Sequence, residues 1–130
     1  MPAQQFNFTP SSDGGDYCEQ GASFSFNFTW EKEYPPDSET YVPVDISLFT
    51  AKMQVKAKKG SDPLIVELST TNGRITFDGP NGVVFLTIDA TTTNALQTGV
   101  FKYDLELTDS SGNVTRLVEG SFTIKEQITI

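Results

Sequence analysis

Carboxylates are the most abundant reactive groups in this chain: 17 Asp and Glu stand against nine Lys and Arg, with no histidine. Two carboxylates can hydrolyse a glycoside when one of them is kept protonated as a general acid. That use needs an acid at an inward-pointing, apolar-flanked position, and none of the 17 occupies one. Asp13-Gly-Gly-Asp16 with Glu19 gathers oxygen ligands as part of a calcium loop does. It lacks the alternating spacing and the closing bidentate Glu of an EF-hand, so it reads as an acidic loop and no metal site is assigned. Cys18 is the only cysteine, and with no histidine present the His-based and Cys-cluster metal sites are excluded. Ser-His and Cys-His nucleophilic pairs fall for the same reason. Cys18 has no adjacent base to activate it and reads as a passive thiol; a chain without disulfides suits a reducing cytosol. Nothing here asks for a cofactor, and the chain is expected not to be an enzyme.

Other motifs have structural readings. Asn7-Phe-Thr9, Asn27-Phe-Thr29 and Asn113-Val-Thr115 would accept glycans in a secreted protein, but no cationic region leading into an apolar stretch is visible. Arg116 shares parity with Val114 and Val118, which would aim a guanidinium at the core. Either a bulge marked by Gly120 shifts the phase, or Arg116 sits at a rim beside Asp104 or Glu106. Lys52, Lys56, Lys58 and Lys59 crowd one strand face. They either meet an acidic neighbour or guard an edge strand against stray pairing.

The net charge of −8 argues against nucleic acid as a partner, because phosphates are neutralised by Lys and Arg. No apolar run approaches the length of a membrane helix, and no membrane partner is expected. The charge is uneven. Residues 1–45 hold eight acids and one base, Lys32, for a net of −7, whereas residues 46–130 hold nine acids and eight bases, for a net of −1. An acidic end and a basic stripe suit oriented packing against neighbours; they also suit two solvated surfaces.

The elements that must position these groups are strands. At 37% hydrophobic residues in 130, one small domain can bury a core. The dominant period is two: Phe24, Phe26, Phe28 and Trp30 alternate with Ser25, Asn27 and Thr29. Ala51, Met53, Val55 and Ala57 alternate with Lys52, Gln54 and Lys56, and Leu64, Val66 and Leu68 form a further run. Phe101, Tyr103, Leu105 and Leu107 alternate with Lys102, Asp104 and Glu106. Asp78-Gly-Pro-Asn-Gly82 and Asp109-Ser-Ser-Gly-Asn113 supply turn chemistry between apolar runs. Ala90–Leu96 and Asp45–Phe49 could each form one short helical turn. Pro10–Gln20 and Glu31–Val42 read as acidic loops. The expected fold is all-β: one antiparallel, immunoglobulin-like β-sandwich of about eight strands spanning 1–130. Its expected core holds Phe24, Phe26, Phe28, Met53, Val55, Tyr103, Leu105 and Phe122.

Several segments together resemble short β-sandwich virion structural proteins of tailed bacteriophages. They are Phe6-Asn-Phe-Thr9, Glu19–Phe24 running into Phe28-Thr-Trp30, Pro43-Val-Asp45 and Thr50–Lys56. Glu67–Thr70, Asn72–Thr76, Gly99–Leu107, Val114–Leu117 and Glu119-Gly120 continue the likeness in order. A looser likeness reaches the N-terminal domain of phage baseplate upper proteins. Pro10–Cys18 looks inserted, the Glu31–Val42 loop is long and acidic, and Ser47-Leu-Phe49 replaces a usual Thr-Gly-Tyr turn. The resemblance implies a non-enzymatic building block made in the host cytoplasm and carried in the virion, on the neck, tail or baseplate. Capsid decoration on the head is the alternative within that class. A carbohydrate- or receptor-binding module is the alternative outside it.

Implied partners are other phage structural proteins, the major capsid protein among them, and further copies of the chain in a ring or repeat. Contact residues are expected in the acidic loops (Asp13, Asp16, Glu33, Asp37 and Glu39), on the basic strand (Lys52, Lys56 and Lys58) and at the chain ends (Met1, Phe6, Ile128 and Ile130). The apolar, alternating ends are expected to add a strand to a neighbour's sheet.

Overall fold

Alternation fixes the two central strands. Thr50–Lys56 sends Ala51, Met53 and Val55 inward, where all three are buried, and leaves Lys52 exposed. Gly99–Thr108 buries Phe101, Tyr103, Leu105 and Leu107 on the same side. The computed structural model describes residues 4–5, 17–57 and 64–126. Among these, the strands in chain order are β1 (Gln4–Gln5), β2 (Cys18–Glu19), β3 (Phe24–Thr29), β4 (Glu31–Glu33), β5 (Tyr41–Pro43), β6 (Thr50–Lys56), β7 (Leu64–Ser69), β8 (Ile75–Asp78), β9 (Val83–Ile88), β10 (Gly99–Thr108) and β11 (Val114–Lys125). Helix α1 (Ala90–Asn94) and a 3-10 turn at Gly79–Asn81 complete the set.

The large sheet runs β1-β11-β10-β6-β7, with β2 also on β11; the second sheet runs β3-β9-β8. Phe24 of β3 meets Phe122 of β11 edge-on at 5.3 Å between ring centroids, and Phe122 meets Tyr103 at 6.3 Å, so the sheets face each other across an aromatic core. The orders β11-β10-β6-β7 and β3-β9-β8 match the G-F-C-C′ and B-E-D strands of an immunoglobulin sandwich. The expected all-β sandwich is therefore the fold.

Several local expectations need correction. Eleven strands occur among the described residues because pairs as short as Cys18–Glu19 form; the seven longest, β3 and β6 to β11, make up the two facing sheets. Pairing is not wholly antiparallel, since β1 and β2 both run parallel to β11. Glu31–Val42 is not a loop: β4 and β5 pair as a two-stranded ribbon. Asp45–Phe49 is not helical; Asp45 Oδ1 accepts the amide and hydroxyl of Ser47 and closes a turn. Phe26 and Phe28 are only half-buried, because they pack against the margin of the core and not within it. Leu64 is exposed and Ala57 lies past the end of β6, since the β6–β7 register slips and leaves Ile65 without an opposite residue.

The turns follow their sequence chemistry. Gly82 closes the 3-10 turn at φ 67, and an added Cβ there would lie 2.7 Å from the carbonyl oxygen of Val44 and 2.8 Å from that of Trp30. Only glycine fits that space and that conformation. Asp89 caps α1 by accepting the Thr92 amide, and buried Thr93 accepts the Gly21 amide and donates to Ala22 O. The helix thereby pins the β2–β3 connection.

Candidate functional site

The described residues show two surfaces with the means to contact a partner. The first is the β4–β5 ribbon, which continues from β3 at the end of the sandwich where β6 begins. Its base is fixed by Trp30, whose amide donates to Gly82 O and whose carbonyl accepts from Val44 N. Trp30 also meets Phe49 edge-on at 6.0 Å. At the tip, Glu33 accepts the amide of Asp37 through Oε1 at 3.0 Å and that of Glu39 through Oε2 at 2.9 Å. Asp37 and Glu39 adopt φ of 63° and 61°, which turns their amides toward the one carboxylate. Tyr34 and Tyr41 flank the tip at 60% and 61% exposure. The ribbon is thus an ordered, acidic, aromatic projection.

The second surface is the outer face of the large sheet, where cross-strand register sorts charge into rows. Ser69, Lys52, Glu106 and Arg116 share one row, and Glu67, Gln54, Asp104 and Glu119 the next. Leu64, Lys56, Lys102 and Ser121 form the third. Arg116 lies 3.5 Å from Asp104, 3.9 Å from Glu106 and 3.9 Å from Glu119, and Gln54 donates to Glu67 at 2.9 Å. Arg116 ties the first two rows together, and Gln54 with Glu67 bonds within the second.

Arg116 resolves the open parity question. Leu105 pairs with Val118 but Glu106 pairs with Arg116, so Leu117 is the extra residue of a bulge. The bulge turns Arg116 outward while Val118 stays buried; it falls three residues before Gly120. A phase shift does operate, at Leu117 and not at the expected Gly120, and the expected carboxylates Asp104 and Glu106 are partners of Arg116.

The expected contact residues are divided by this geometry. Glu33, Asp37 and Glu39 come together on the ribbon, with Glu33 serving inward as the clamp of the tip. Lys52 and Lys56 lie on the sheet face, but β6 is flanked by β10 and β7, so edge guarding is not their role. Met1, Phe6, Asp13, Asp16, Lys58, Ile128 and Ile130 lie outside the described residues. Gln4–Gln5, between the first two of these, pairs with Val118–Glu119 of the same chain, so this segment completes its own sheet. Reasoning from sequence missed Tyr34 and Tyr41, although two tyrosines bracketing Pro35-Pro36 in an acidic stretch were a visible signal.

The chemistry of the titrating groups is that of structural contacts. Burial, with Glu19 adding repulsion, pushes the Cys18 thiol up to about 11. Asp45 is held below the usual carboxylate range by the Ser47 side chain and amide, Asp89 by Thr92, and Asp109 by the Asn113 backbone amide and then its side chain. Burial raises the Tyr103 phenol, with Glu119 adding to it. Among the described residues no group of three or more Cys, Asp or Glu is arranged to hold a metal ion. No protein-family model matches this chain, and no curated protein is similar to it at a significant level.

Proposed function

We propose that this protein is a non-enzymatic structural component of a tailed-bacteriophage virion, present in many copies on the neck, tail or baseplate and joining neighbouring subunits. The observation that carries the reading is where the resembling segments fall. Thr50–Lys56 and Gly99–Leu107 are the central strands β6 and β10, and Glu67–Thr70 and Val114–Leu117 belong to the strands beside them. The remaining segments reach β3 and β8 of the facing sheet and the connections at Val44–Asp45 and Asn72–Arg74, so the likeness runs through both sheets of the sandwich. Rows of surface charge and a projecting ribbon are features suited to subunit contact.

Mass spectrometry of purified particles, with copy number per particle, tests the proposal. A low copy number favours neck, tail or baseplate, and a number near that of the major capsid protein favours decoration of the head. Absence of the chain from particles rejects both.

A second reading has one observation in its favour. A carbohydrate- or receptor-binding module needs exposed aromatics at one loop end, and Tyr34 and Tyr41 supply them on the ribbon between β3 and β6. Binding to host-surface glycans that disappears in Tyr34→Ala and Tyr41→Ala variants would select this reading.

A further inference from the structure

We infer that the outer face of the β3-β9-β8 sheet pairs with the same face of a second copy of this chain, about a two-fold axis running along β9. Phe24, Ile75, Val84, Leu86 and Ile88 are buried toward the large sheet, so the residues alternating with them point outward. Register sets Asn27, Phe85 and Thr76 side by side in one row, and Thr29, Val83 and Asp78 in the next. Ser25 and Thr87 stand side by side in a third. Phe85, at the centre, is 38% exposed. Asp78 is the one charge among these eight positions, on a chain whose net charge is −8. Copies of so acidic a chain meet far less like-charge repulsion here than through the ribbon or the outer face of the large sheet.

The layout is self-complementary. The central strand presents Val83 and Phe85, and the strands on either side present polar groups. A two-fold axis along β9 sets Phe85 on Phe85 and Val83 on Val83, while β3 of each copy lies over β8 of the other. Asn27 then faces Thr76 of the second copy, and Thr29 faces its Asp78. Among the described residues the side chains of Asn27, Thr29 and Thr76 make no hydrogen bond within the chain. The Asp78 side chain accepts from Asn81, through Oδ2 at 2.9 Å, which leaves its other oxygen for the Thr29 hydroxyl of the second copy. Facing sheets keep their strand directions within about 30° of each other, and this axis satisfies that preference. The contact is isologous and closes at two copies. Three strands about 4.8 Å apart and about 15 Å long give a plane of roughly 200 Å2, short of the ~800 Å2 per partner of a standard interface. The pair is therefore weak and reversible on its own. This inference deepens the assembly role proposed above and rests on it only for the biological use of the contact.

The test is sedimentation of the purified full chain over a concentration series reaching the millimolar range, with three variants. Phe85→Glu places two carboxylates on the axis. Asn27→Asp with Thr76→Asp sets acid against acid twice, whereas Asn27→Asp with Thr76→Lys sets acid against base twice. Within one copy the two positions are two strands apart, about 10 Å, so the difference reads the contact between copies. The native chain should associate reversibly, and Phe85→Glu and the acid–acid variant at least about tenfold more weakly at an unchanged thermal midpoint. The acid–base variant should associate as tightly as the native chain or more so, and lose that gain in high salt. If Phe85→Glu lowers the midpoint, the two double variants decide, since both change exposed positions. A native chain monomeric at every concentration, association unmoved by Phe85→Glu, or equal weakening of the two double variants overturns the pairing. A chain monomeric when purified whose entry into particles is lost in Phe85→Glu gives the face to another subunit, which overturns the pairing and leaves the assembly role standing.

Discussion

The side chain of Glu33 holds the backbone amide of Asp37 at 3.0 Å across the tip of the β4–β5 ribbon. Its second oxygen holds Glu39 in the same way, so one carboxylate replaces the longer ladder that such a short ribbon lacks. Charge-assisted bonds of this kind contribute about 1.5–3 kcal/mol when shielded and less at an exposed tip. Glu33→Ala should therefore raise amide hydrogen exchange at Asp37 and Glu39 by at least about tenfold, with the thermal midpoint of the domain almost unchanged. A fall in midpoint equal to that of a core substitution would mean that the ribbon is integral to the sandwich.

Cys18 makes stability depend on alkaline pH. Its folded pKa of about 11 stands above the ordinary thiol value of 9.0, so the native state holds the thiol proton over a range in which the unfolded chain has lost it. The stabilisation is complete below pH 9 and is lost as pH rises through 11. Thermal midpoints should fall across that window, and Cys18→Ala should remove part of the slope, the remainder belonging to groups such as Tyr103. At neutral pH the buried thiol should resist a thiol reagent until the protein is unfolded.

Burial ranks the aromatic core. Phe122 is fully buried between Phe24 and Tyr103, so Phe122→Ala should cost about 3–5 kcal/mol. Phe26 lies at the margin, and Phe26→Ala should cost clearly less, about 1–2 kcal/mol. Denaturant midpoints of the two variants measured side by side check the order, and equal losses would contradict it.

The contrast between these two phenylalanines shows where a sequence is readable. Period-two runs at Phe24–Trp30, Thr50–Lys56 and Phe101–Leu107 specify strands because the buried face repeats at the spacing of the pleat. Asp78–Gly82 and Asp109–Asn113 are equally clear, since Asp, Asn and Gly close turns through their own bonds and conformations. The extent to which an aromatic is covered depends on the opposite sheet, which parity does not describe. The bulge at Ile65, and the position of the one at Leu117, were hidden because each is a property of two strands at once. Glu31–Pro43 concealed its ribbon for a different reason. Its order comes from a side chain bonding to backbone amides, which leaves no apolar rhythm. Of the contact surfaces, the charges were legible and their arrangement was not: only register shows Lys56 beside Lys102, or Arg116 among three acids.

The parallel pairing of β1 and β2 with β11 has a consequence for biosynthesis. Both short strands leave the ribosome early, while the strand that receives them is made after every other strand described here. Until then the first segment has no template, and one edge of the large sheet does not exist. Closing the sheet must wait for a contact between residues as distant in sequence as Gln4 and Val118, a separation that slows folding and places this step late. A nascent chain stalled before Val114 would therefore leave one edge of β10 unpaired and its early strands idle, a state in which chaperone capture competes with folding.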